Sequence, residues 1–167
     1  MTDRYTRVLD GVYYRLKALA EAADVLGPAR APEGRSHRDG QRALYLSETP
    51  DGCRVATRRY LTDDTPARAI FPLQVSRAVV VDLRDRVATD ALGIDTTHRA
   101  CEWQKLRAQG LASPTWDIAD RVRALGLDGM LYASRSDPAL THLTLFRWNE
   151  PGSTARVTRG GDWLAVD

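Results

Sequence analysis

Apolar residues in this chain gather into short runs of strand length, separated by stretches with helical spacing. Val12-Tyr13-Tyr14-Arg15-Leu16 is rich in β-formers and predicts a first strand. Leu19 to Leu26 is Ala-rich and helix-like, stopped by Gly27-Pro28. Ala43 to Ser47 predicts a second strand. Thr49-Pro50-Asp51 then reads as a helix start, with a hydroxyl cap, proline at the first position and an early acid, and that helix runs to Tyr60 or Leu61. Ala69 to Val75 and Ala78 to Leu83 read as two further strands, and Pro72, which has no N–H to offer a neighbour, places the first at a sheet edge. Helices are expected over about 84–92, 98–109 and 115–125, the last closed by Gly126. Gly129 to Ala133 and Leu143 to Arg147 are strand-like on either side of a Ser-Asp-Pro turn. Residues 155–158 and 163–166 read as a closing hairpin across Gly160-Gly161.

Strands and helices mix here without a regular βαβ alternation, and neither an internal repeat nor a linker interrupts them. The pattern predicts an α+β fold over residues 1–167, a single compact domain with a mixed sheet and flanking helices. Residues 28–42 form a polar loop rich in Gly, Pro and Arg, long for a compact domain, and loops of that kind are often functional.

Composition narrows the function classes. A length of 167 residues, with 43% hydrophobic and 28% charged, is ordinary for a globular domain with a substantial core. A net charge of +2 argues for neither a nucleic-acid partner nor a membrane surface. Lys17 and Lys105 are the only lysines; the rest of the positive charge is arginine, whose planar fork suits phosphate recognition. Cys53 and Cys101 lack a CxxC spacing and no histidine completes a metal site with them, so they are expected to be reduced thiols and no metal is predicted. No segment approaches 18 consecutive apolar residues, and Met1 to Asp10 has no apolar signal core, so the expected compartment is the cytoplasm.

No GxSxG, HExxH, Walker A or strand-borne GxGxxG motif is present. Three ordered segments carry more. Tyr14-Arg15 on the opening strand is followed by Gly34-Arg35-Ser36-His37. Ala43-Leu44-Tyr45-Leu46-Ser47-Glu48-Thr49-Pro50 comes next. Gly126-Leu127-Asp128-Gly129-Met130-Leu131-Tyr132-Ala133-Ser134-Arg135 follows, closing with Leu145-Phe146. In order and spacing these resemble the tyrosine–arginine strand, the glycine–arginine loop, the "ALYLS" strand and the "DGLLYPS" strand of the RES domain, the NAD-consuming toxin family of bacterial toxin–antitoxin pairs. The resemblance spans about residues 12–147.

The resemblance implies an ADP-ribosyltransferase-like fold and cleavage of the nicotinamide–ribose N-glycosidic bond of NAD, as NAD glycohydrolase or ADP-ribosyltransferase-like activity. NAD is then the substrate and no cofactor is needed. Carried over residue by residue, Arg15, Tyr45 and Ser134 take catalytic roles, and Tyr14, Arg15, Arg35, His37, Tyr45 and Ser134 bind NAD. Arginines hold a pyrophosphate by forked, charge-assisted bonds, and a tyrosine ring packs on nicotinamide or ribose. The partners implied are NAD, a cognate antitoxin protein and a second copy of the chain as a homodimer. One departure stands out. Where the family has its glutamate, eleven residues past the tyrosine, this chain has Ala56, and Ser36 replaces the family's aromatic after the loop arginine. Glu48 and Glu102 are the candidate stand-ins. The alternative implied is a catalytically weakened RES homologue that binds a nucleotide or a protein.

Overall fold

A 15-residue strand, β3 (Arg68–Asp82), organises the computed structural model, which describes residues 2–167; Met1, the first residue of the polar N-terminal stretch, lies outside them. β1 (Arg7–Ala18) runs antiparallel to β3 along nearly its whole length, from Arg7 opposite Val80 to Ala18 opposite Arg68. The other edge of β3 is shared. β7 (Leu164–Ala165) pairs at Ala69–Ile70 and β6 (Arg156–Arg159) at Leu73–Ser76, both antiparallel, while β4 (Gly129–Ala133) pairs in parallel at Val80–Asp82. β5 (Thr141–Leu145) joins β4 to β2 (Leu44–Ser47), and β2 meets β1 where Tyr14 lies opposite Ser47. The path β1-β2-β5-β4-β3 therefore returns to β1, closing a mixed sheet on itself.

That closure corrects three expectations. The two strands expected over 69–75 and 78–83 are one, because the polar interruption at Ser76-Arg77 is a bulge rather than a turn. Arg77 takes φ 54, its N–H donates to Asp10 Oδ1 at 3.0 Å, and β1 shifts register between Leu9 and Gly11. Pro72 is not at an edge. Its carbonyl accepts the Gly160 N–H at 2.8 Å, and since N and C=O of a strand residue point the same way, its missing donor faces the turn between β6 and β7. Those two strands do not form a hairpin with each other; both pair with β3, end to end.

Among the described residues four α-helices flank the sheet. In α1 (Pro50–Thr57) the Thr49 hydroxyl accepts the Gly52 N–H at 3.1 Å, the cap its sequence predicts, and a 3-10 turn over Arg58–Tyr60 continues it. α2 (Arg86–Ala91), α3 (Trp103–Ala108) and α4 (Pro114–Ala124) follow, and Gly126, at φ 73, ends the last in the left-handed region that glycine favours. α3 starts five residues later than expected. Arg99 reaches the Ala133 carbonyl at 2.8 Å, and the Arg99 and Cys101 carbonyls serve Arg35, so this stretch spends its polar groups on tertiary partners. The segment Leu19–Asp24 is 3-10 and breaks at Glu21 rather than forming an α-helix. Arg15 captures the carbonyls of Val25 and Gly27 beyond it.

The core has two parts. Phe71, Leu73, Leu143, Leu145 and Trp148 fill the interior of the closed sheet, and Val81, Ile118, Val122, Met130 and Phe146 lie under α2 and α4. Burying each such side chain contributes about 1.5–3 kcal/mol. Asp128 stitches these layers: its carboxylate accepts the Val79 N–H at 2.8 Å and the Ser153 hydroxyl at 2.6 Å. Of the tryptophans, Trp116 and Trp148 are core residues, whereas Trp163 is 48% exposed.

Candidate functional site

Residues 34–37 make a tight reversal in the long loop, pinned by one backbone bond and two side chains. The Gly34 N–H donates to the His37 carbonyl at 2.8 Å, the Trp116 indole to the Gly34 carbonyl at 2.8 Å, and the Thr115 hydroxyl to the Arg35 carbonyl. Trp116 in turn lies under the guanidiniums of Arg38 and Arg107, 5.4 and 5.0 Å from its centroid. Gly34 is required by contact. A Cβ there would stand 2.6 Å from His37 Cε1 and 2.9 Å from the Tyr45 hydroxyl.

This reversal seats His37, 2% exposed, against Tyr45 of β2. His37 Nε2 lies 2.8 Å from the Ala31 carbonyl, which only accepts, so Nε2 carries the proton. Nδ1, 2.7 Å from Tyr45 Oη, is then the acceptor, and the tyrosine donates. Tyr45 Oη also accepts the Ser36 N–H at 3.0 Å. Burial pushes the Tyr45 phenol well above its ordinary range, with the Ser36 N–H opposing. The hydroxyl is committed to its loop, and the ring is what Tyr45 offers to a ligand. His37, with both nitrogens bonded, is neither solvated nor free to bond a substrate through nitrogen; it positions Tyr45.

Tyr45 and His37 form part of the wall of a cleft of about 670 Å³ between the loop, β1, α1 and the end of β4. The cleft brings together five of the six predicted site residues: Arg15, Arg35, His37, Tyr45 and Ser134. Tyr14 does not line it. On β1 its neighbour Arg15 faces the cleft, and successive strand residues point to opposite faces. Arg15 is 7% exposed, its Nη1 bonding the Val25 and Gly27 carbonyls at 2.6 and 2.7 Å, and burial lowers its pKa to about 10 against the pull of Glu21 and Asp24. Arg35 donates through Nη1 to the Arg99 and Cys101 carbonyls at 3.1 and 3.0 Å, and burial lowers its pKa too. Ser134, 2% exposed, accepts the Asp137 N–H at 3.3 Å, a local turn bond.

The cleft is strongly basic. Seven arginines and Lys17 line it against two carboxylates, Glu21 and Glu33. Both acids are engaged, Glu21 with Lys17 and Arg30, and Glu33 with Arg107. Ala56 also lines the cleft, while Glu48 and Glu102, the candidate stand-ins, do not. His142 of β5 also lines the cleft, 8% exposed, with Nδ1 2.8 Å from Ser47 Oγ; burial, then Arg35 and Arg99, lower its pKa to about 4, so it is neutral near pH 7. Trp103, Arg99 and Arg135 also face the cleft. Arg135 ends the third quoted segment, but no spacing in the sequence marks His142, Trp103 or Arg99, which arrive from more than 60 positions beyond residues 34–37.

The arrangement accommodates an extended anion: charge in excess on the walls, an aromatic ring fixed by its own hydroxyl, and a size within the range of small-molecule pockets. A RES domain family model matches residues 7–166. No curated protein matches the chain. Among seven matching chains of solved structures is one from the crystal structure of the M. tuberculosis MbcT–MbcA toxin–antitoxin complex, with a TM-score of 0.64 and 18% identity, over 99% of this chain and 90% of that one. At that identity the likeness is one of fold.

Proposed function

The chain belongs to the RES domain family, and from that membership we propose that its cleft binds NAD and breaks the nicotinamide–ribose N-glycosidic bond. The observation that carries this reading is the gathering of Arg15, Arg35, Tyr45 and Ser134 in one basic cleft of about 670 Å³. A dinucleotide presents two phosphates to such walls, and guanidiniums bind them by forked, charge-assisted bonds. Desolvated arginines with some of their N–H groups already spent on backbone carbonyls are rigid, so little side-chain entropy is lost on binding.

In the reaction the bond from ribose C1′ to the nicotinamide nitrogen breaks, and nicotinamide leaves as a neutral molecule with the bonding electron pair. Positive charge develops on the ribose and is quenched when water, phosphate or a protein nucleophile adds to C1′. Acceptors placed beforehand around that carbon lower the barrier. Tyr45 packs its ring against the nicotinamide or ribose, and Ser134 offers its hydroxyl to the ribose or the carboxamide. Incubating the purified protein with NAD and detecting free nicotinamide tests the reading; NAD recovered intact at high enzyme concentration counts against it.

A second reading has its own observation. Ala56 lines the cleft at the family's glutamate position, and both carboxylates that line it are bound to cations. On that ground the alternative is a weakened homologue that holds the nucleotide with little turnover. In either case the biology we propose is toxin-like and cytoplasmic, with a cognate antitoxin protein seated over the mouth of the cleft. The solved relative is itself part of a toxin–antitoxin complex.

A further inference from the structure

Beside the main cleft lies a smaller pocket of about 130 Å³. It is continuous with the cleft, for Arg35, Arg59, Trp103, Gln104 and Arg135 line both. Its charge is more concentrated. Arg35, Arg59, Arg135 and Lys105 surround it, and Glu102 is the one carboxylate. Glu102 bonds Lys105 at 2.5 Å and Arg135 at 3.0 Å, which leaves the pocket with a surplus of positive charge. Arg135 Nη1 is buried and has no hydrogen-bond partner among the described residues. A buried guanidinium N–H without an acceptor is costly, and natural structures seldom leave one that nothing ever satisfies.

We propose that this side pocket is a phosphate-monoester subsite, and that the dinucleotide the protein prefers carries a third phosphate on its adenosine ribose, as NADP does. The inference rests on the dinucleotide reading of the main cleft and deepens it. A pocket of this size holds one tetrahedral oxyanion and little else, and four cationic groups match a dianion better than they match a neutral ribose hydroxyl. The shared wall favours a phosphate attached to the cleft's own ligand. Tethering makes the second contact intramolecular, at high effective concentration, whereas a free ion bears its full cost of immobilisation. Trp103, common to both cavities, places an indole beside the phosphate subsite for the adenine.

Calorimetry with NAD and NADP at one ionic strength tests this, with inorganic phosphate as a third titrant. The wild type is expected to bind NADP about tenfold or more tighter than NAD, as one or two charge-assisted bonds would give. Arg59→Ala and Arg135→Ala should lower NADP affinity more than NAD affinity, collapsing the ratio towards one. Glu102→Gln, a surface change that removes the competing carboxylate, should widen it. Equal affinity for NAD and NADP overturns the proposal while leaving the dinucleotide reading intact. So does a preference that survives both arginine substitutions, or binding of inorganic phosphate without any preference for NADP. Failure of both dinucleotides to bind overturns the two readings together.

Discussion

The Tyr45 hydroxyl donates to His37 Nδ1 at 2.7 Å, and the proton on the far side of that imidazole is held by the Ala31 carbonyl at 2.8 Å. A residue of the loop thereby fixes a residue of the sheet. Tyr45→Phe should leave His37 Nδ1 and the Ser36 N–H without their buried partner, lowering stability by about 1–3 kcal/mol in urea melts. Phenylalanine keeps the ring, so nicotinamide release should fall less than in Tyr45→Ala. Equal loss in the two variants would mean that the hydroxyl, not the ring, meets the substrate.

Gly34→Ala tests the same contact from the other side. The new methyl would meet His37 Cε1 at 2.6 Å and Nδ1 at 2.8 Å, and neither can retreat without breaking the bond to Tyr45. Overpacking of this kind costs about 1–3 kcal/mol. The expected outcome is a lower melting midpoint together with weaker NAD binding; a variant that matches the wild type in both would show that the loop relaxes freely.

Arg15 and Arg35 should differ in how they fail. Each alanine variant is expected to weaken NAD binding by about 1.5–3 kcal/mol, read by calorimetry. Arg15→Ala should also destabilise the fold, because the carbonyls of Val25 and Gly27 lose their donor in a buried place. Arg35→Lys should rescue binding only in part, since it keeps the charge and loses the fork. Unchanged affinity in both alanine variants would rule out a pyrophosphate clamp.

Much of this architecture is legible in the sequence, and the limits have physical causes. Strand runs at 43–47 and 129–133 stand almost where expected, because each is a short, largely buried apolar run, Leu44-Tyr45-Leu46 and Met130-Leu131-Tyr132, between clear turn signals. The cap at Thr49 and the terminator at Gly126 are local chemistry, and both are found. What fails is what depends on partners. Ser76-Arg77 resembles a turn until β1 is known to run beside it, and Pro72 resembles an edge until the β6–β7 turn is seen to face it. The motif residues split in the same way. Asp128 of the "DG" strand serves the fold, and Arg15 and Ser134 have structural bonds of their own inside the cleft they line. His142, Trp103 and Arg99 sit in no motif at all, yet with Arg135 they complete the wall.

His142 links the cleft to pH. Its pKa is lowered from 6.5 to about 4, chiefly by burial and then by Arg35 and Arg99. The unfolded chain therefore takes up a proton at this site near pH 6.5 while the folded one refuses it. Stability from this group is fully present above about pH 6.5 and is lost as pH falls towards 4. Between pH 7 and 5 the wild type should lose about 2 kcal/mol that His142→Gln does not lose, read from paired urea melts. Parallel slopes in the two proteins would show that His142 titrates normally.

Ala56→Glu restores the family's carboxylate on a helix that faces the cleft. A single pre-organised group of this kind typically changes a rate by about 100- to 1,000-fold, so nicotinamide release should rise by something of that order. The position is physically suited to the change. It lies on α1 one turn beyond Cys53, which also lines the cleft, and with the acids Glu21 and Glu33 tied to cations, no carboxylate competes for the developing charge. Glu48→Gln serves as the control. Glu48 stands outside the cleft lining, so its amide should leave the rate as it was. Two outcomes separate the readings of this protein. A slow wild type accelerated by Ala56→Glu identifies a weakened RES enzyme whose missing acceptor is the whole deficit. A wild type that already turns over quickly, with Ala56→Glu doing nothing, means that another cleft group stabilises the ribosyl cation, and Glu21→Gln is then the variant that should slow it.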